Sequence, residues 1–145
     1  MYIGDNEITG EGALYIAEAL RTTRALWRLD LWDNPIGDKG LQCIAEALTT
    51  NTSLIKLYLN ECSLRITEEN GPTLTEMLQR NKTLRKLDLS YNEAISDSAA
   101  SFIIEGLKKN TTLKTLDLSW CRFTDEGIYL IQSSTSTCKI ISRYI

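Results

Sequence analysis

The sequence of 145 residues contains no histidine, and it lacks the glycine-rich motifs that bind phosphate groups. Without histidine there is no His-based catalytic triad, dyad or metal site. Neither G-x-G-x-x-G nor G-x-x-x-x-G-K-[ST] occurs, so no nucleotide-binding loop is predicted. We therefore expect a protein that is not an enzyme and that has no cofactor and no bound metal.

Long apolar runs and an excess of basic charge are missing as well. No run approaches the roughly 18–20 apolar residues that cross a bilayer, and residues 1–6 lack the features of a secretory signal. The formal net charge is −3 and the sequence contains no basic cluster. Neither a membrane nor a nucleic acid is therefore expected as a partner.

What the sequence does contain is an internal repeat. The segment Ile-Ala-Glu-Ala-Leu at 16–20 returns unchanged at 44–48. A second pattern, L-x-x-L-x-L-x-x-(N/C), occurs in four copies that end at Asn34, Cys62, Asn92 and Cys121, and a partial earlier copy ends at Asn6. The chain is therefore predicted to be an array of one unit. The predicted repeats are about 1–25, 26–53, 54–83, 84–112 and 113–145.

Each repeat combines a strand pattern with a helix pattern. Residues 28–32 alternate outward and inward, with Leu29 and Leu31 inward, which is typical of a short strand with one buried face. Apolar residues at helical spacing follow, such as Ile16 and Leu20. We predict parallel strands centred near Tyr2, Asp30, Tyr58, Asp88 and Asp117. We predict helices at roughly 11–22, 38–50, 71–80, 97–109 and 125–134.

A single unit cannot bury its own leucines, so the units are expected to stack side by side. Helices are wider than strands, about 10 Å against 4.8 Å, and the stack must therefore bend with the sheet on its inner side. The predicted fold class is α/β, a solenoid with a concave parallel sheet and convex helices.

The repeated pattern resembles the leucine-rich repeat, and its long period with a recurring helix is similar to the ribonuclease-inhibitor-like subtype. The resemblance covers the chain from 1 to about 145. It implies a right-handed α/β horseshoe arc of about five repeats in a single domain. Because both ends of the chain fall inside a copy of the repeat, we expect this domain to be a segment of a longer array.

Proteins with such arrays include ribonuclease inhibitor and the sensor ends of NOD-like receptors. The resemblance therefore implies a module for protein–protein interaction, with the sensor part of a NOD-like-receptor-type protein as one such role. Fold does not fix function, so two alternatives stay open. One is a GTPase-activating regulator resembling the Ran GTPase-activating protein, and the other is an actin-capping module resembling the repeat end of tropomodulin.

The position that ends each pattern is predicted to be structural. A buried asparagine amide can bridge the turns of neighbouring repeats, whereas cysteine is a weak donor that fills the same space. We predict a structural ladder along this position. Its members are Asn6, Asn34, Cys62, Asn92 and Cys121.

The four cysteines are predicted to be free thiols. Cys62 and Cys121 lie two repeats apart, which separates them by roughly 10 Å, whereas a disulfide requires Cα atoms within about 7 Å. No C-x-x-C pair occurs. Reduced thiols indicate the cytosol or the nucleus, and a cytoplasmic location is predicted.

Three sequons begin at Asn51, Asn81 and Asn110, all at the end of a predicted helix. Repetition of a structural position explains their presence without a glycan. We expect asparagine there because it tolerates left-handed backbone angles.

The outward residues of the strands are the predicted binding surface. Trp, Tyr and Arg are the residues that most often anchor protein interfaces, and a curved surface that carries them among mixed charges suits a protein or peptide ligand. The predicted concave binding residues are Arg28, Asp30, Trp32, Lys56, Tyr58, Lys86, Asp88, Tyr91, Asp117 and Trp120. We expect the carboxylates to be solvated and the anchors to be Trp32, Tyr58, Tyr91 and Trp120.

A structural interpretation of the same residues stays open. Arg28 with Asp30, and Lys86 with Asp88, could pair along the sheet and contribute little where they are exposed. Tyrosine and tryptophan are also favoured in strands for reasons of packing alone.

Overall fold

The computed structural model describes residues 1–143, and the last two residues of the fifth predicted repeat lie outside this part. Helices and short strands alternate along the chain. The helices are α1 (Gly10–Thr22), α2 (Gly37–Leu48), α3 (Gly71–Arg80), α4 (Ala100–Leu107) and α5 (Asp125–Ser133). The strands are β1 (Arg28–Asp30), β2 (Lys56–Tyr58), β3 (Lys86–Asp88), β4 (Thr115–Asp117) and β5 (Lys139–Ile141). No helix in residues 1–143 is long and apolar enough to span a bilayer.

The strands form one parallel sheet in the order of the sequence. Arg28 of β1 pairs with Lys56 of β2, and the same register continues through Lys86, Thr115 and Lys139. Equivalent residues of successive repeats therefore stand side by side in rows that cross the sheet. The predicted α/β repeat solenoid is confirmed.

The two ends of the sheet differ from the predicted set of strands. Residues 1–5 run beside β1, where Ile3 N–H donates to the Asp30 carbonyl at 3.0 Å and Asp5 N–H donates to the Trp32 carbonyl at 2.9 Å. Only an isolated parallel bridge between Tyr2 and Asp30 forms there, so the strand predicted at Tyr2 is not a full strand. At the other end, β5 supplies the fifth strand.

The core lies between the sheet and the helices. The central leucines of the first four strands are at most 1% exposed, and they share one apolar cluster with the inward residues of the helices. These leucines are Leu29, Leu57, Leu87 and Leu116. The flanking residues of each strand point to the opposite side, which no helix covers in the described part of the chain. We call this side the open face.

The turn after each strand is held by the predicted ladder position. Asn34 is fully buried; its Oδ1 accepts hydrogen bonds from the backbone N–H groups of Asn6 and Ile8, at 3.0 and 2.9 Å. Its Nδ2 donates to the carbonyls of Ile3 and Leu31, at 2.9 and 3.0 Å. One amide thus joins two successive turns. Asn92 repeats this arrangement in the fourth repeat.

At the same position of the other repeats, Cys62, Cys121 and Asn6 form weaker or fewer hydrogen bonds between turns than Asn34 and Asn92. Cys62 and Cys121 are buried, and their thiols contact the carbonyls of Leu31 and Leu89 at 3.1 and 3.3 Å. Each sulfur also receives one backbone N–H of the preceding turn, from Asn34 and Asn92 respectively, but sulfur is a weaker acceptor than an amide oxygen. Asn6 is exposed, and its Nδ2 donates only to the carbonyl of Gly4.

A second row of buried asparagines lies at the opposite end of the strands. The side chains of Asn51, Asn81 and Asn110 donate to carbonyls of the preceding repeat, at 2.8, 2.8 and 2.6 Å. Each Oδ1 atom accepts the backbone N–H groups of the residues two and three positions later. The sequons are therefore structural amides with at most 7% exposure.

The reason that we expected for asparagine at these three positions is wrong. Their backbones are not left-handed, since none has a positive φ, and Asn81 is extended at φ −67° and ψ 129°. The side-chain amide, not the tolerance of the backbone, makes asparagine suitable there.

Burial of the ladder thiols predicts a loss of stability in alkaline solution. Desolvation raises the pKa of Cys62 from 9.0 to about 11 and the pKa of Cys121 to about 12. A raised pKa in the folded state stabilises the fold below pH 9, and this contribution is lost as the pH rises towards the folded-state pKa. We expect each thiol to lower the free energy of unfolding by about 1 kcal/mol at pH 10 relative to pH 8.

Urea melts at pH 8 and pH 10 measure this effect. The matched control replaces both thiols with the residue that other repeats carry, Cys62→Asn with Cys121→Asn. An alkaline loss of the same size in the control would show that other groups cause it.

Candidate protein-binding surface

Two rows of side chains cross the open face. The first row contains the residue that begins each strand. Its first four members are Arg28, Lys56, Lys86 and Thr115, of which the first three are basic. The second row lies two residues further along each strand and contains Asp30, Tyr58, Asp88 and Asp117. The parallel register therefore brings cations, carboxylates and an aromatic ring together on one surface.

Cations and aromatic rings alternate across this surface. The guanidinium of Arg28 lies 4.6 Å from the ring centroid of Tyr2 and 4.3 Å from that of Tyr58. The Nζ of Lys86 lies 4.7 Å from the same Tyr58 ring, and that of Lys56 lies 5.9 Å from the Trp27 ring. Such contacts stabilise by about 0.5–1 kcal/mol each at exposed sites. Tyr58 is therefore held between two cations, which leaves less of its ring free for a ligand.

The carboxylates of this surface are less solvated than we expected. Asp30 is only 7% exposed and Asp88 only 9% exposed. Each is paired with the cation two residues earlier, Arg28 Nη2 to Asp30 Oδ2 at 3.1 Å and Lys86 Nζ to Asp88 Oδ2 at 4.0 Å. The hydrogen bond to Asp30 raises the pKa of the Arg28 guanidinium. Long side chains of the first row and neighbouring rings cover these carboxylates. The alternation of inward and outward residues along a strand does not predict this covering.

The two paired carboxylates differ in their further contacts. Oδ1 of Asp88 accepts the N–H and the hydroxyl of Ser90 at 3.1 and 2.6 Å. Oδ1 of Asp30 is buried and has no hydrogen-bond partner within residues 1–143. Asp30 therefore depends on Arg28 alone.

Trp32 lies over the first repeat. A side chain added at Gly4 would collide with the indole ring of Trp32, so the ring occupies the space that a side chain would fill. The other side of the ring stays accessible, since Trp32 is 42% exposed.

The rim beyond the open face carries a stacked aromatic pair. The rings of Tyr91 and Trp120 lie 5.6 Å apart at an interplanar angle of 17°. Both residues have left-handed backbones, with φ of 58° and 60°. Tyr91 is 51% exposed and Trp120 is half-buried. Bulky residues rarely adopt this conformation.

The left-handed conformation recurs at the same position of the earlier repeats, which carry Asp5, Asp33 and Glu61. The sequence pattern predicts Tyr91 and Trp120 as binding residues but does not predict this conformation. It also left Tyr2, Trp27 and the two serines of the open face, Ser90 and Ser119, outside the candidate site. Aspartate at two of the five rim positions was the available signal, because it tolerates positive φ better than most residues.

The predicted site residues fall into three groups in the structure. Arg28, Asp30, Tyr58, Lys86 and Asp88 form one connected network of ion pairs and cation–π contacts. Tyr91 and Trp120 form the rim pair. Trp32, Lys56 and Asp117 stand beside these groups. Because the members of this network contact one another, the rim pair, Trp32 and Asp117 are the predicted site residues left for contact with a ligand.

A comparison with protein families identifies the class of the chain. The model of the leucine-rich repeat matches residues 2–17, 26–45, 80–103 and 109–131, which together are more than half of the chain. The chain therefore belongs to the leucine-rich repeat family. No curated protein matches it significantly in sequence.

Solved structures of the same architecture include two proteins that act with other proteins. The chain is similar to actin-binding site 2 of leiomodin-1, with a TM-score of 0.77 and 21% identity over 92% of this chain and 76% of that one. It is also similar to a chain of the Rad7–Elc1 complex in yeast, with a TM-score of 0.60 and 20% identity over 93% of this chain and 30% of that one. At this identity the likeness concerns the fold.

Proposed function

We propose that this chain is a non-catalytic interaction module that binds a protein or peptide on its open face and the adjoining rim. The chain from 1 to 145 is one leucine-rich repeat domain of the ribonuclease-inhibitor-like subtype, and it acts in the cytoplasm. A role as the sensor part of a NOD-like-receptor-type protein is compatible with this proposal. The similar structures, from leiomodin-1 and from the Rad7–Elc1 complex, support a protein as the partner.

One observation carries the proposal more than any other. The parallel register presents exposed aromatic rings, Trp32 and the Tyr91–Trp120 pair, along a surface that no helix covers in the described part of the chain. These rings are held by contacts with Gly4 or with each other, so little conformational entropy is lost when a partner binds. Rigid aromatic side chains of this kind are frequent anchors of protein interfaces.

The test compares partner capture by two sets of variants. The open-face set is Trp32→Ser, Tyr91→Asn and Trp120→Asn, in which asparagine suits the left-handed backbone and serine occurs at the position of Trp32 in other repeats. Loss of an anchor costs about 2 kcal/mol, or roughly thirtyfold in affinity per residue. We expect the open-face set to abolish pull-down of bound proteins from a cell lysate.

The control set removes equally exposed apolar residues from the helices, Tyr15→Ser, Tyr129→Ser and Leu130→Ser. Thermal melts first establish that both sets are folded. Capture that persists in the open-face set and is lost in the control set would contradict the proposed surface.

A second candidate function is binding to actin, and it is favoured by the similarity to the actin-binding site of leiomodin-1. Sedimentation with purified filamentous actin tests it directly. Retention of the wild-type chain in the pellet, and its loss in the open-face set, would identify actin as the partner. A GTPase-activating regulator is the third possibility, and assays with candidate small GTPases would detect it.

A further inference from the structure

Asp117 is the carboxylate of the open face that lacks a cation on its own strand. Asp30 follows Arg28 and Asp88 follows Lys86, but the residue two positions before Asp117 is Thr115. Within residues 1–143, no cation lies within 4.0 Å of the Asp117 carboxylate. Lys139 of β5 stands beside Thr115 in the register, not beside Asp117. The first row therefore has a gap in its charge at this strand.

The serine next to Asp117 on the same face is incompletely bonded too. Ser119 N–H donates to Asp117 Oδ1 at 3.0 Å, as Ser90 N–H does to Asp88. The hydroxyl of Ser90 also donates to Asp88 at 2.6 Å, whereas the hydroxyl of Ser119, which is 5% exposed, has no hydrogen-bond partner in the described part of the chain. The Ser119 oxygen is itself buried, and within the described residues Asp117 has one hydrogen bond fewer than Asp88 and no cation.

Trp120 of the rim pair follows this carboxylate along the chain, and the carbonyl of Arg143 accepts the N–H of Trp120 at 3.0 Å. Trp120 follows Ser119 directly, and Tyr91 stacks on Trp120. A guanidinium group binds carboxylates through its planar fork and stacks on aromatic faces, and it does both with one rigid group. A carboxylate without a cation beside an accessible aromatic pair therefore fits an arginine side chain better than any other protein group.

We propose that Asp117 and the Tyr91–Trp120 pair receive an arginine side chain of the protein partner. The inference rests on the proposed function and specifies the partner's anchor. The carboxylate of Asp117 accepts hydrogen bonds from the guanidinium, and the guanidinium plane lies on the rim pair. The incoming arginine thus supplies to Asp117 the positive charge that Arg28 and Lys86 supply to Asp30 and Asp88.

The probe is a capped tripeptide, acetyl-Gly-Arg-Gly-amide, titrated into the isotopically labelled full chain and followed by NMR. The counterpart with citrulline has nearly the same shape but no charge. We expect the arginine peptide to shift the amide signals of residues 117–120 and the indole N–H signal of Trp120, with a dissociation constant in the millimolar range, on the order of 1 mM. We expect the citrulline peptide to leave them unchanged.

Asp117→Asn tests the role of the carboxylate, and Thr115→Lys tests the missing cation of the first row; each has a control. Asp117→Asn should weaken binding about tenfold or more, and Asp33→Asn, which removes the same charge from the rim of another repeat, should leave it unchanged. Thr115→Lys should block binding because it supplies the cation that Lys86 supplies to Asp88. Thr115→Ser is its neutral control. Lysine already occupies this position in β2 and β3, so Thr115→Lys keeps the test available if Asp117→Asn does not fold.

Three results would overturn the inference: equal weakening by Asp117→Asn and Asp33→Asn, equal binding of the citrulline peptide, or signal changes centred on another surface. If the open-face set of variants loses partner capture while the arginine peptide gives one of these results, only the arginine site is wrong. If the open-face set captures partners as the wild type does, the proposed function itself is wrong.

Discussion

Asn92→Ala is expected to lower the free energy of unfolding by about 3 kcal/mol, whereas Asn60→Ala should change it by about 0.5 kcal/mol or less. Both asparagines lie in the turn region that follows a strand. Asn92 is 2% exposed, and its amide bonds the N–H groups of Cys62 and Leu64 and the carbonyls of Leu59 and Leu89. Alanine leaves these buried backbone groups without partners.

Asn60 is the matched control because its side chain is half-buried and makes no hydrogen bond within residues 1–143. Urea melts of both variants at pH 7 measure the difference. Equal losses would mean that the amide of Asn92 contributes no more than a surface side chain. Asn92→Cys, which copies the residue at the same position in two other repeats, should fall between the two.

The sequence was sufficient to predict the repeating architecture. Leucines such as Leu29 and Leu31 recur in phase with a polar residue at a fixed position, and only stacking of the units can bury them. The helix predicted at 71–80 has the observed bounds, since Gly71–Arg80 is α3. The helix predicted at 97–109 begins instead as a 3-10 turn, Asp97–Ala99, and ends at Leu107. Boundaries depend on local hydrogen bonds that hydrophobic periodicity does not encode.

The environment of the candidate site was less predictable than its location. Alternation places Asp30 and Asp88 on the open face, but it gives no information on how closely long neighbours such as Arg28 and Tyr58 cover them. The rim conformation at Tyr91 is not encoded by periodicity either. Solvation and backbone angles depend on side chains from adjacent strands, and these meet only in the folded chain. Whether the open face binds a partner stays a prediction.

Arg28→Ala is expected to lower the free energy of unfolding more than any other substitution in the first row. Oδ2 of Asp30 is paired with Arg28 at 3.1 Å and Oδ1 has no partner in the described part of the chain, so the variant leaves a buried carboxylate unpaired. It also removes the cation that lies between the rings of Tyr2 and Tyr58. Removing one member of a buried pair is far more harmful than removing both.

Lys86→Ala is the control that separates this effect from a general effect of charge. It removes an equivalent cation, but Asp88 keeps two hydrogen bonds from Ser90, and the ion pair is long at 4.0 Å. We expect a loss of about 1 kcal/mol or less. In the double variant Arg28→Ala with Asp30→Asn the buried charge is gone, so urea melts should show more than half of the lost stability restored. If the double variant is no more stable than Arg28→Ala, the loss of stability comes from lost packing of the Arg28 side chain and not from the unpaired carboxylate of Asp30.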